Sequence, residues 1–89
     1  MKEVIALGAA GVNIEDSSEV GGAHLLDIVY QTEKIRAVCA AVEASGVPIV
    51  VNARTDAYWL KLGDDKERLR TSIERANRYR DAGAHCLFV

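Results

Sequence analysis

The sequence predicts an α/β fold that is built on a parallel β-sheet. Three short apolar runs each follow a turn of small residues, and 37 positions separate Val12 from Ile49 and Ile49 from Cys86. Helical patterns fill both intervals. Strands and helices that alternate at this spacing are typical of successive βαβ units. Near-continuous apolar strands agree, because parallel sheets are covered on both faces.

The first predicted elements are a helix end, a strand and a second helix. Residues 1–9 have the pattern of a helix end, and the first strand is expected at Val12–Ile14. The next helix is predicted at about Gln31–Ala44, where apolar residues line one face. Gly46 and Pro48 favour its end at this point. The apolar stripe consists of Ile35, Val38, Cys39 and Val42.

The second half is predicted to contain two strands, at Ile49–Ala53 and Cys86–Val89, adjacent and parallel to the first. A helix is expected between them at about Asp65–Asp81, with Asp64 as N-cap and Glu67 as its capping-box partner. Its buried stripe is expected to contain Leu69, Ile73, Ala76 and Tyr79 or Arg80. The remaining charges are interpreted as a solvated face, because a slightly acidic chain does not favour a nucleic-acid patch. These are Arg68, Arg70, Glu74, Arg75 and Arg78.

Composition indicates a soluble globular protein. The chain has 89 residues, a net charge of −2 and 49% hydrophobic residues. No apolar run approaches the about 20 residues of a membrane-spanning helix, and the N-terminus lacks a signal-peptide pattern. We therefore expect a cytoplasmic protein without membrane or nucleic-acid partners. Cys39 and Cys86 are interpreted as buried free thiols rather than as a disulfide or a metal pair.

Length points to a larger fold. Three parallel strands and two crossover helices leave sheet edges open, and natural folds cover such edges. A closed (β/α)₈ barrel has about 250 residues. Residues 1–89 are therefore predicted to be a segment of such a barrel, a TIM-barrel fragment whose last strand ends where its loop should begin.

Polar residues interrupt two of the strands near their carboxyl ends. Side chains alternate in facing along a strand. If Glu15 faces the barrel interior, so does Asn13, and if Arg54 faces it, so does Asn52. Both strands then carry an asparagine and a charged residue on one face, toward the edge where parallel α/β folds place their active sites.

This arrangement suits an anionic substrate. Arg54 can hold a carboxylate or a phosphonate with two hydrogen bonds, and Glu15 can serve Mg²⁺ directly or through water. The alternative is a buried Glu15–Arg54 ion pair that only closes the barrel. A ligand or metal site is favoured because further polar side chains are expected at the same rim, namely Asp16, Asp56 and Asn52.

Other motifs carry less information. Gly8–Gly11 precedes its strand, so it is interpreted as a helix cap rather than a phosphate-binding loop. The connection Ser17–Asp27 contains Gly21–Gly22, which either hinges a mobile loop over the site or forms a plain turn. Tyr58 and Trp59 are expected to pack under the next helix rather than to wall the site.

Three stretches carry a family resemblance. They are Ala10–Ser17 (Ala-Gly-Val-Asn-Ile-Glu-Asp-Ser), Asn52–Ala57 (Asn-Ala-Arg-Thr-Asp-Ala) and Arg75–Ala84 (Arg-Ala-Asn-Arg-Tyr-Arg-Asp-Ala-Gly-Ala). Together they resemble the isocitrate lyase and phosphoenolpyruvate mutase (phosphonomutase) superfamily. The likeness spans essentially the whole chain, and its first two motifs are specific in combination.

The resemblance implies a (β/α)₈ barrel in which residues 1–89 cover roughly the fourth to the sixth strand. It implies Mg²⁺-dependent lyase or mutase (isomerase) chemistry on small α-oxo or α-hydroxy carboxylates or phosphonates. A C–C or P–C bond is made or broken through a pyruvate enolate. By motif match, catalytic Glu15 belongs to the Mg²⁺ shell and catalytic Arg54 binds substrate, with Asn13 and Asn52 beside it. A homo-oligomer is also implied.

Two departures narrow this expectation. Lyases of the superfamily carry a Lys-Cys-Gly-His type of sequence in the gating loop after the fourth strand, whereas Ser17–Asp27 contains neither lysine nor cysteine. That favours a phosphonomutase-like enzyme. The metal-binding aspartates are expected on an earlier strand, outside residues 1–89, so this chain alone is expected to be inactive.

Two other functions remain as alternatives. One is a truncated, non-catalytic fragment with only a structural role. The other is a small flavodoxin-like nucleotide-binding module, which needs a phosphate loop after the first strand. Ser17–Gly22 suits that role poorly, because Glu19 would repel phosphate.

Overall fold

The computed structural model describes residues 2–89, apart from the side chains of Lys2 and Ile5. Its elements alternate between helices and short strands. In chain order they are α1 (Lys2–Ala6), β1 (Gly11–Glu15), β2 (Ser17–Ser18), β3 (His24–Leu25), α2 (Ile28–Ser45), β4 (Val50–Arg54), α3 (Asp65–Asp81) and β5 (Cys86–Phe88).

The main sheet has the strand order β1-β4-β5, and both neighbouring pairs are parallel. This confirms the predicted α/β fold with three adjacent parallel strands. β4 lies in the centre, with Asn13 of β1 opposite Asn52 and Glu15 of β1 opposite Arg54. Residues that are paired in this way share one face of the sheet, so the register itself brings the four polar side chains together.

The core lies between the sheet and the helices α2 and α3. The central strand contributes Val51 and Ala53, which are almost fully buried, whereas its alternate residues face the other side and are partly exposed. The helices cover this face with Ile35 and Val42 from α2 and Tyr79 from α3. One face of the sheet is therefore apolar and packed against the helices. The opposite face, which we call the polar face, carries the candidate site residues Asn13, Glu15, Asn52 and Arg54.

Helix α2 begins three residues before the predicted start. Asp27 caps it by accepting a hydrogen bond from the backbone N–H of Tyr30 at 3.0 Å. Gly46 ends it with a left-handed φ of 70°, and its N–H donates to the carbonyl of Glu43. This is the glycine stop that the sequence predicted. The predicted apolar stripe also faces the core.

Both cysteines are free thiols, as predicted, but neither is fully buried, so the expected burial was wrong. Cys39 is partly exposed on α2, and Cys86 is exposed on β5. Burial raises the pKa of the Cys39 thiol above its ordinary value. Cys86 is paired with Asn52 in the sheet, so it lies on the polar face rather than in the core.

Helix α3 has the predicted bounds, but its buried face differs from the prediction. Asp64 caps it as expected, since its Oδ1 accepts from the backbone N–H of Glu67 at 2.8 Å. Tyr79 is buried as predicted, but Leu69 and Ile73 are each 53% exposed and Ser72 is buried instead. The polar partners of Tyr79 and Arg75, described below, lie on this side of the helix.

A small antiparallel hairpin follows β1, and Gly21–Gly22 forms its turn, which was one of the two predicted alternatives. Ser17 is paired with Leu25, and Ser18 with His24. Gly21 and Gly22 have φ of 76° and 104°, a region that favours glycine.

No helix in the described part of the chain is long and apolar enough to cross a membrane.

Candidate active site at the carboxyl edge of the sheet

Two asparagines form the lower level of the site. The Nδ2 group of Asn52 donates a hydrogen bond to Oδ1 of Asn13 at 3.0 Å, which joins β4 to β1 on the polar face. The other donors and acceptors of the two amides remain available to a ligand.

The charged pair lies one level higher, at the strand ends. Nη2 of Arg54 lies 3.0 Å from Oε2 of Glu15, and the two side chains are 29% and 48% exposed. The ion pair that was considered as an alternative is therefore formed, but it is open to solvent. Exposed pairs contribute about 0–1 kcal/mol to stability, so a ligand could displace this one at small cost.

A buried carboxylate holds the other edge of Arg54. Asp56 accepts hydrogen bonds from Nε at 2.6 Å and from Nη2 at 3.3 Å, and also from Oγ of Ser17 in the hairpin. The hydrogen bond from Arg54 to Asp56 raises the pKa of the guanidinium, which keeps it charged. Among residues 2–89, no hydrogen bond from Nη1 of Arg54 is formed.

The pKa of Asp56 is set by opposing effects. Burial raises it, but the hydrogen bonds from Arg54 and Ser17 and the positive charge of Arg54 lower it. The net result is a pKa below the ordinary value for aspartate. Asp56 is therefore ionised at neutral pH, and it is committed to holding Arg54 rather than free to bind a metal.

Asp16 is fully buried on the opposite side of the strand end from Glu15. It accepts hydrogen bonds from the backbone N–H of Asp56 at 2.8 Å, from the Tyr79 hydroxyl at 2.7 Å and from Nη1 of Arg75 at 3.2 Å. Burial, together with the bond to Asp16, raises the pKa of Tyr79 well above its ordinary value. We refer to Asp16, Arg75 and Tyr79 as the Asp16 cluster.

Arg75 was expected on a solvated helix face, and that expectation was wrong. Its side chain is only 11% exposed, and Nη2 also donates to the carbonyl of Leu26 at 2.8 Å, next to the hairpin. Strand alternation contained the signal that could have found it. Asp16 follows inward-facing Glu15, so it must face the helices, where a buried carboxylate needs a cationic partner.

The structure thus separates the polar residues that the sequence placed at one rim. Asn13, Glu15, Asn52 and Arg54 do meet on one face, as their spacing predicted. Asp16 and Asp56 do not join them as open ligands, because both carboxylates are buried and bonded within the protein.

A groove of about 460 Å³ extends from Arg54 toward the aromatic residues after β4. Tyr58 and Trp59 line it, and Trp59 is 79% exposed. The expectation that these residues pack under the next helix was wrong for the residues described. The other residues that line the groove are Thr55, Asp56, Phe88 and Val89.

Glu15 is the natural oxygen donor for a metal at this edge. Hard cations such as Mg²⁺ take carboxylate and water ligands. Within residues 2–89, no group of three or more His, Cys, Asp or Glu side chains is arranged to hold a metal. The donor set fits a Mg²⁺ shell in part, with one carboxylate that faces the ligand side.

The whole chain is similar to a known protein family and to individual proteins. The family model for phosphoenolpyruvate phosphomutase matches residues 1–89. The chain is 41% identical over 86 residues to an uncharacterized protein of Mycobacterium tuberculosis, and 39% identical over 92 residues to 2-methylisocitrate lyase of Escherichia coli. It covers 30% and 29% of those proteins, and these matches include 97% and 99% of the chain.

A solved structure gives the same result. A Burkholderia cenocepacia protein assigned as a phosphonomutase superposes with a TM-score of 0.86 and 38% identity. The match covers 96% of this chain and 34% of that protein. The chain therefore spans about a third of the length of the proteins that it matches.

Proposed function

Because this chain belongs to the phosphoenolpyruvate phosphomutase family, in the superfamily that also contains isocitrate lyase, we propose that its strand ends form part of an enzyme active site. The enzyme makes or breaks a C–C or P–C bond in a small carboxylate or phosphonate, through a pyruvate enolate. One observation carries the proposal above all. Asp56 holds one edge of Arg54, and within the described part of the chain Nη1 makes no hydrogen bond at the carboxyl edge of the sheet.

Arg54 is the substrate-binding group. Its Nε edge is occupied by Asp56, so an anion would approach the end of the guanidinium, at Nη1 and Nη2. Two parallel hydrogen bonds from that end fit a carboxylate or a phosphonate. Substrate oxygens would take the place of the Glu15 carboxylate at Nη2, and this would release Glu15 for other partners.

Asn13 and Asn52 would bind the remaining polar atoms of the substrate. They use one hydrogen bond for each other, and an amide pair can supply both donors and acceptors. The two asparagines lie one level below Arg54 on the same face. A ligand whose carboxylate is bound by Arg54 would therefore lie above them.

Glu15 would hold Mg²⁺, directly or through a water molecule. A bound Mg²⁺ would stabilise the negative charge of the enolate. Glu15 supplies one carboxylate, so the other ligands would come from residues outside this chain. The role of Glu15 is then to place a fixed negative charge on the ligand side of the sheet.

The phosphonomutase-like branch suits the hairpin after β1. The segment Ser17–Asp27 contains no lysine or cysteine that could act as the acid or base of a lyase. It forms a short hairpin that is tied to Asp56 through Ser17. A lyase of this superfamily would need its proton donor from another part of the protein.

The proposed context is a longer enzyme in which residues 1–89 form roughly strands four to six of a (β/α)₈ barrel. Coverage of about a third of each relative supports this. We also propose that the enzyme is cytoplasmic and a homo-oligomer. The alternative, a non-catalytic structural segment, is favoured only by the Glu15–Arg54 ion pair.

The decisive experiment uses the intact enzyme that contains this chain. Phosphoenolpyruvate and 2-methylisocitrate would each be supplied with Mg²⁺, with EDTA as the control, and the products followed by ³¹P and ¹H NMR. Turnover of phosphoenolpyruvate that requires Mg²⁺ would support the phosphonomutase-like branch, and turnover of 2-methylisocitrate would assign the lyase branch. If neither compound binds in calorimetry, the proposed substrate class is wrong.

A further inference from the structure

Asp16 and Asp56 lie beside the site, but the proposed chemistry assigns neither of them a contact with the substrate or with a metal. Both carboxylates are buried and are bonded within the protein. They are connected to each other and to Arg54 by hydrogen bonds. This series of hydrogen bonds runs from helix α3 to the guanidinium of Arg54.

The inner part of the hydrogen-bond series is the Asp16 cluster. Tyr79 and Arg75 lie one helical turn apart on α3, and both donate to Oδ2 of Asp16. The other oxygen, Oδ1, accepts from the backbone N–H of Asp56 at 2.8 Å. The cluster therefore ties the loop after β4 to α3 at the residue that contacts Arg54.

The outer part is the Asp56 carboxylate. It lies along the Nε and Nη2 edge of Arg54 and takes a further hydrogen bond from Ser17. Two contacts to one edge determine both the direction and the rotation of a planar guanidinium. Arg54 by itself is a long side chain, 29% exposed, and without these contacts several rotamers would be open to it.

We propose that Asp16 and Asp56 are positioning residues for substrate binding. The Asp16 cluster fixes the backbone of Asp56, and Asp56 orients Arg54 so that Nη1 and Nη2 face the substrate anion. This inference rests on the proposed function, because it assigns residues that act through Arg54. Neither aspartate touches the substrate.

The test measures the dissociation constant of phosphoenolpyruvate by calorimetry in the intact enzyme, with Mg²⁺ present. Asp56→Asn keeps the size of the side chain but removes the charge that orients Arg54. We expect binding to weaken about 10- to 100-fold, the scale of one lost hydrogen bond to a charged group. Asp81→Asn is the matched control, because Asp81 also pairs with an arginine, Arg80, but both side chains are exposed at the end of α3. It should leave binding unchanged.

A double-mutant cycle distinguishes positioning from a general structural role. If Asp56 acts through Arg54, Asp56→Asn should have little further effect on binding in the Arg54→Lys background. Equal weakening by Asp56→Asn in both backgrounds would overturn the inference. Normal binding by Arg54→Lys would instead show that the proposed function is wrong, so the two failures are distinguishable.

A milder variant tests the inner part and guards against misfolding. Tyr79→Phe removes one hydrogen bond to Asp16 and keeps the buried ring. We expect folded protein with weaker binding in the same direction as Asp56→Asn. A lower melting temperature with unchanged binding would overturn the role of the Asp16 cluster. Loss of binding in Asp56→Asn alone would then assign positioning to Asp56 only.

Discussion

Glu15 and Asp16 are neighbours with the same charge, and the structure gives them opposite surroundings. Glu15 lies on the polar face of the sheet, where its half-exposed side chain forms an ion pair with Arg54. Asp16 is buried on the helix side and accepts three hydrogen bonds from three different residues. Strand alternation alone sends them to different faces. The difference shows that one strand end can place one carboxylate on the polar face and the next in the core beneath the helices.

The largest expected effect comes from removing the buried charge. Asp16→Ala would leave Arg75 mostly buried without its counter-ion and Tyr79 without its acceptor. We expect the intact enzyme to lose about 3–5 kcal/mol of unfolding free energy, the usual cost of breaking a buried pair. Urea denaturation measures it, with Asp81→Ala as the exposed control. A loss below 1 kcal/mol would remove the contrast between the two carboxylates.

The next effect concerns the open side. Arg54→Lys keeps the charge but loses the planar fork that contacts Asp56 and that we propose to bind the substrate. We expect phosphoenolpyruvate to bind about 1.5–3 kcal/mol more weakly, the range for a charge-assisted hydrogen bond. Calorimetry measures it directly. Arg36→Lys, in an exposed pair with Glu33, is the matched control. Unchanged affinity would make Arg54 a structural partner of Glu15.

Acid sharpens the comparison at Asp56. The pKa of Asp56 is lower in the folded protein than in the unfolded chain, where it is about 3.9. The ionised carboxylate therefore stabilises the fold at pH values above that unfolded pKa. This stabilisation is lost as the pH falls through the folded pKa. We expect the stability difference between the intact enzyme and its Asp56→Asn variant to stay constant from about pH 7 to pH 5 and to shrink as the pH falls below about 4. Denaturation curves across this range test it, and a constant difference would contradict it.

The smallest effect on stability is expected at Glu15. Glu15→Gln keeps the size of the side chain and breaks only an exposed ion pair, so unfolding free energy should change by less than about 1 kcal/mol. Turnover that depends on Mg²⁺ should fall, because an amide is a weaker ligand than a carboxylate. The measurements are a Mg²⁺ titration of activity and a thermal melt. A large drop in melting temperature with unaltered Mg²⁺ dependence would place Glu15 in the architecture instead.

Much of the fold could be predicted because its signals are local. The apolar runs, the cap at Asp64 and the glycine stop at Gly46 each act within a few residues. The polar face could be predicted for the same reason. Alternation along two strands placed Asn13, Glu15, Asn52 and Arg54 on one side, and parallel pairing brought them together.

The errors lie where distant residues decide the outcome. On α3, the apolar pattern correctly predicted that Tyr79 is buried, but it also predicted burial of Leu69 and Ile73, which are exposed, whereas Ser72 is buried. The hydrogen bonds from Tyr79 and Arg75 to Asp16 span 63 and 59 positions, and no local pattern encodes them. A buried carboxylate needs partners more than Leu69 needs burial, since an unpaired buried charge costs far more than one exposed apolar side chain.

The sequence by itself determined the strands, the helices and the face on which the site residues lie, because chain alternation and capping are properties of neighbouring residues. Only the tertiary structure decided that Asp16 and Asp56 are buried supports and that Arg75 belongs with them. The physical reason is that a buried charge takes its partner from whichever element packs against it. That element is known only once the helices lie on the sheet.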